Sequence, residues 1–159
     1  MKKIMILAAA AVFSFGCSGN DDNASGTTSI DGTWKLTALT SSQPTDANED
    51  GVATTDLIAE AGCFDQTTLV FASNNTFVYN LMMPGTTTCF PFTANGTYVA
   101  SGNNIAATIT VEGEADTQNF VQSGNTLTAT VPDFYEIEVT VGGETTYESI
   151  DAVLVFTKQ

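Results

Sequence analysis

Downstream of residue 30 the apolar residues recur at every second position. The pattern is clearest in Ile105, Ala107, Ile109 and Val111, in Leu127, Ala129 and Val131, and in Tyr135, Ile137, Val139 and Val141. The positions between them are mostly Thr or Glu. A period of two puts each apolar set on one face of a pleated strand and its polar neighbours on the other. Thr and Val suit such a surface better than a helix. Residues 32–39, 67–71, 76–81, 96–100, 119–122 and 147–157 read the same way, for about nine strands in all.

The connections between them are short and turn-like: Ser73-Asn74-Asn75, Ser101-Gly102-Asn103, Ser123-Gly124-Asn125 and Gly142-Gly143. Antiparallel strands joined in order form a meander, which loses its exposed edges by closing into a barrel of about eight strands. The predicted fold is therefore all-β, an antiparallel up-and-down barrel. Its inward set comprises Trp34, Leu36, Leu69, Phe71, Phe77, Tyr79, the 105–111 and 127–131 series, Leu154 and Phe156. Two stretches interrupt the alternation. Residues 40–66 form a long insert whose 56–61 segment predicts a short helix capped by Thr54 or Thr55. Residues 82–95, with Pro84 and Pro91, form a second long loop.

The first residues follow a different pattern. Lys2 and Lys3 precede an apolar run from Ile4 to Phe15, then Gly16 and Cys17, the layout of a secretory signal. Phe13-Ser14-Phe15-Gly16-Cys17 resembles the lipobox of bacterial lipoproteins, with Ser14 where an aliphatic residue is usual. That resemblance implies cleavage before Cys17 and lipidation of Cys17, hence a lipid anchor in a membrane. The expected organisation is a signal peptide at 1–16, a lipidated N-terminus and flexible tether at 17–29, and one domain at 30–159. Asp21-Asp22 resembles the acidic signal that sends some Gram-negative lipoproteins to the cell surface, and reads equally as a solvated linker. The expected location is the outer membrane.

The chain has 18 acidic residues, four lysines, no Arg and no His. Its formal net charge of −14 repels phosphates, which argues against nucleic-acid binding. Lacking His, it has no Ser-His-Asp or Cys-His machinery. Glu112/Glu114 and Glu136/Glu138 are the only candidate carboxylate pairs, and Glu136 and Glu138 alternate with apolar residues as solvated charges do. With Cys17 as anchor, Cys63 and Cys89 remain for a disulfide in an oxidising compartment. A two-thiolate metal site is the alternative, without His to complete it.

Gly32-Thr33-Trp34 with Leu36 resembles the Gly-x-Trp opening of lipocalins, whose Trp closes the barrel base. The Asp-rich insert, the short helix with Cys63, the pair Leu69-Val70-Phe71 and Thr76-Phe77-Val78-Tyr79, and the closing Leu154-Val155-Phe156-Thr157-Lys158 are similar to lipocalin-like domains of secreted bacterial lipoproteins. Many lipocalins cover the Trp with an Arg near the chain end; this chain offers Lys158.

Two candidate sites follow. Asp46, Asn48 and Asp50, then Gly51 and the Val52 carbonyl, match the first half of an EF-hand calcium loop, with Asp56 as a further oxygen ligand. A solvated Asp/Asn turn is the other reading. Trp34, Phe77, Tyr79, Met82, Phe90, Phe92 and Tyr98 are candidates to line a pocket for a small apolar ligand, or else to plug the barrel as core. The function expected is a non-enzymatic, envelope-anchored ligand-binding lipoprotein. The alternative is a filled barrel whose loops contact another envelope protein or a glycan.

Overall fold

The computed structural model describes residues 29–85, 88–141 and 144–159. Cys17, the expected signal peptide and nearly all of the tether lie outside the described residues. Nine strands follow in chain order: β1 (Gly32–Thr45), β2 (Thr54–Asp56), β3 (Thr68–Ala72), β4 (Thr76–Met83), β5 (Phe90–Ser101), β6 (Asn104–Val111), β7 (Glu114–Ser123), β8 (Thr126–Val141) and β9 (Glu144–Lys158). The short β2 pairs only with β1. The other eight pair antiparallel in sequence order, and β9 returns to β1 from Trp34↔Lys158 to Ser41↔Ala152. The sheet therefore closes on itself as an eight-stranded barrel, the architecture the alternation predicted.

Three expected loops or breaks turn out to be strand. β1 continues to Thr45, and Thr54–Asp56 pairs with it, so the insert begins later than residue 40. Most of the second long loop is ladder, with Met82↔Pro91 and Met83↔Phe90 extending the β4–β5 pair. The 127–131 and 135–141 segments are one strand, carried past Pro132 by a register shift between Val131 and Tyr135. Asp133 takes a φ of 50° there and donates its N–H to Asp151 Oδ1 at 3.1 Å. A bulge absorbs residues that break alternation without ending the strand.

A second irregularity re-aims β1. Leu36 pairs with Phe156 and Ala38 with Val155, leaving Thr37 as an extra residue. Trp34 and Leu36 point inward before the shift, and Leu39 and Ser41 after it. The core otherwise follows the expected parity: Leu69, Phe71, Phe77, Ile105, Ala107, Leu127, Ala129, Leu154 and Phe156 are all buried. Val111, expected inward, is 42% exposed at the strand end.

Trp34 closes one end. Its side chain is fully buried, and its Nε1–H donates to the Ile30 carbonyl at 2.7 Å. Lys158 Nζ lies 5.5 Å from the ring centroid, a cation on the aromatic face in the place the resemblance implied for an Arg. Beside it, Phe71 stacks on Phe77 at 5.5 Å and meets the edge of Tyr98 at 5.1 Å. The Tyr98 hydroxyl lies 3.1 Å from Asp31 Oδ1 and from the Ala72 carbonyl. Burial, and then the Asp31 carboxylate, raise the Tyr98 pKa. Phe77 also lies across Gly96, its cross-strand partner; a Cβ there would be 2.4 Å from the ring and 2.3 Å from the Thr108 carbonyl. Glycine thus makes room for an aromatic wall.

Candidate functional site

The end opposite Trp34 carries the insert. Helix α1 (Leu57–Ala61) is capped by Asp56, whose Oδ1 accepts from the Ile58 and Ala59 amides, and not by Thr54 or Thr55 as expected. Asp is as good a cap as Thr and stands directly before the first helical residue. Thr54 instead donates to Glu60 Oε1 at 2.9 Å, and Glu60 Oε2 accepts from Ala47 N at 3.2 Å. Glu60 is buried and ties the acidic loop and β2 to the helix. A 3-10 turn, Phe64–Gln66, follows and buries Phe64 against Phe134 at 5.9 Å between ring centroids.

Cys63 and Cys89 are joined, their Cα atoms 5.6 Å apart. The bond ties Cys63, directly before the 3-10 turn, to the connection between β4 and β5, and leaves neither sulfur as a thiolate for a metal. In the acidic loop, Asp46 accepts from the Asp50 and Gly51 amides at 3.0 and 2.9 Å, Asn48 from Asp50 at 2.9 Å, and Asp50 from Val52 at 2.8 Å. The structure thus gathers Asp46, Asn48 and Asp50 around their own backbone and commits Asp56 to the helix cap. Among the described residues no group of three His, Cys, Asp or Glu side chains is placed to hold a metal ion.

Inside the barrel lies an apolar cavity of about 130 Å³. Leu69, Phe77, Tyr79, Ala107, Ile109 and Phe120 line it from β3, β4, β6 and β7, with Val131, Phe134, Leu154 and Phe156 from β8 and β9. Burial pushes the Tyr79 phenol up to about 12, so it stays a neutral hydroxyl at ordinary pH. The volume is below the ~300 Å³ of a drug-sized site and near the ~150 Å³ apolar void that takes benzene.

The lining spans a stretch where two neighbouring strands part. β6 and β7 pair along their whole length, from Asn104↔Val121 to Val111↔Glu114, but β7 and β8 pair only at Val121↔Thr128, Gln122↔Leu127 and Ser123↔Thr126. Beyond Thr128 no β7–β8 pair is formed, and β8 continues on β9 to either side of Pro132, which has no N–H for a ladder. Gln118 spans part of the split, its Nε2 donating to the Thr130 carbonyl at 3.3 Å. Asp116 and Gln118 form the polar part of the lining.

Of the seven residues expected to line a pocket, Phe77 and Tyr79 do. Trp34 and Tyr98 belong to the closed end. Met82 falls on the alternate step from Phe77 and Tyr79, with its N–H on Thr67 Oγ1. Phe90 is 46% exposed, Phe92 is half-buried, and neither lines the cavity. Asp116, Gln118 and Phe134 were missed. The alternation Asp116, Gln118, Phe120 and Gln122 was available in the sequence, but its polar members hid the strand's first half. Glu136 is exposed, as a solvated charge; the Glu138 side chain lies outside the described residues.

Residues 30–129 match the family model of the lipocalin-like domain. No curated protein matches the chain.

Proposed function

The chain belongs to the lipocalin-like domain family, and from that premise we propose that it is a non-enzymatic, envelope-anchored binding protein that holds a small apolar molecule in its barrel. The observation that carries this reading is the 130 Å³ apolar cavity, lined in part by the stretch where β7 and β8 part. Its size limits the buried part of the ligand to about one aromatic ring. Toluene is the probe: titration followed by amide chemical shifts is expected to saturate, with shifts centred on β6, β7 and β8. Ala107→Leu, which fills the lining from β6, is expected to abolish saturation while the fold persists. No saturable binding of toluene by the unmodified protein would leave the filled barrel with interacting loops as the better reading.

The anchoring half rests on the lipobox-like segment and on Cys17. Cys17→Ala is expected to abolish incorporation of a fatty-acid analogue and to move the protein from the membrane fraction to the soluble one. At ~0.8 kcal/mol per buried CH₂, several acyl chains on one cysteine hold where a single chain would exchange. Undiminished labelling of the Ala variant would overturn the anchor.

A further inference from the structure

We propose that the ligand of this cavity carries a protonated amine on its apolar body, with Asp116 as counter-ion and Gln118 as a second acceptor. This rests on the ligand reading above and narrows it. Register places Asp116 opposite Ile109 and Gln118 opposite Ala107, and Ile109 and Ala107 both line the cavity. Asp116 and Gln118 therefore share the inward step of β7 with buried Phe120, and polarity grows from Phe120 through Gln118 to Asp116 along that strand. Asp116 is exposed and Gln118 half-buried, so the carboxylate stands at the solvent edge of a lining whose deeper members are apolar.

Acceptors outnumber donors among the polar side chains here, the Tyr79 hydroxyl being the one that can also donate. Gln118 Nε2 is spent on the carbonyls of Asn119 and Thr130, at 3.0 and 3.3 Å, so the side chain presents its oxygen. Asp116 presents a carboxylate. An ammonium offers three donors and no acceptor, the complement of this pair. A carboxylate ligand would find the Tyr79 hydroxyl as its donor among the lining side chains and no cation. The chain has no Arg or His, and neither described lysine, Lys35 or Lys158, lines the cavity. Glu112 in the turn before β7 and Glu114 at its start are both exposed and add to the negative field beside Asp116.

Three probes of one ring size separate the possibilities: benzylamine, benzyl alcohol and benzoate, titrated at neutral pH. Benzylamine is expected to bind about five- to tenfold more tightly than benzyl alcohol, the range for a charge-assisted hydrogen bond at a partly hydrated rim. Benzoate is expected to bind more weakly than either. The preference for the amine should shrink as salt is raised, because the pair is open to solvent. Asp116→Asn, which keeps shape and removes charge, should bring benzylamine to the affinity of benzyl alcohol. If toluene and benzyl alcohol saturate but the amine gains nothing, or the Asn variant keeps the full preference, this proposal fails and the apolar-ligand reading stands. If neither benzyl alcohol nor toluene binds, the ligand reading itself fails.

Discussion

Trp34→Ala is expected to cost about 3–5 kcal/mol, which is a large share of the ~5–15 kcal/mol that holds a domain of this size folded. The ring is 0% exposed, and its removal leaves a hole at the closed end that neighbouring strands cannot collapse into, because the ladder on both sides fixes their spacing. Two further interactions go with it. The Ile30 carbonyl loses its donor at 2.7 Å, and Lys158 loses the ring face beneath its ammonium. Trp34 is the chain's single tryptophan, so unfolding of the variant should be followed by circular dichroism in denaturant. Trp34→Phe should recover part of the loss, as a ring refills the volume without restoring the N–H. A midpoint unchanged in the Ala variant would mean that this end does not contribute to the cooperative core.

Reducing Cys63–Cys89, or replacing both cysteines with Ala, is expected to be the next largest change. The bond spans a sequence separation of 26 residues. For a loop of that length the chain-entropy model gives about 3.5 kcal/mol, less any relaxation of the reduced form. The loss has a local side as well. The insert is fastened to the barrel by Leu57, Phe64 and this crosslink. Without the crosslink, amides of α1 and the acidic loop should exchange faster with solvent than those of the β8–β9 ladder. Thermal unfolding with and without reductant, read beside hydrogen exchange, checks both effects. An unchanged melting temperature with no loosening of the insert would show that packing alone holds it.

How legible these features were depended on how local their causes are. Leu127, Ala129 and Val131 declare their buried face by period, because a strand's side chains alternate whatever lies beside it. The pairing of Cys63 with Cys89 followed from counting cysteines, and the cover of Trp34 by Lys158 from a resemblance at the two chain ends. Residues 82–95 were misread because Pro84 and Pro91 are strong local signals for a loop. Pro91 nevertheless sits opposite Met82 in a ladder. The helix cap was expected at Thr54 or Thr55, while Asp56, standing directly before Leu57, supplies it.

By itself the sequence determined the all-β class, the meander order, the inward face of most strands, the disulfide and the Trp34 end. The Trp34 end was implied by a resemblance; each of the others is set by residue parity, turn chemistry or a count. Only the tertiary structure decided the bulges at Thr37 and at Asp133, the single strand across Pro132 and the parting of β7 from β8. It also decided the cavity, whose walls come from six strands far apart in the chain. A void is the space that remains after every neighbour has packed, so no segment's own pattern can announce it.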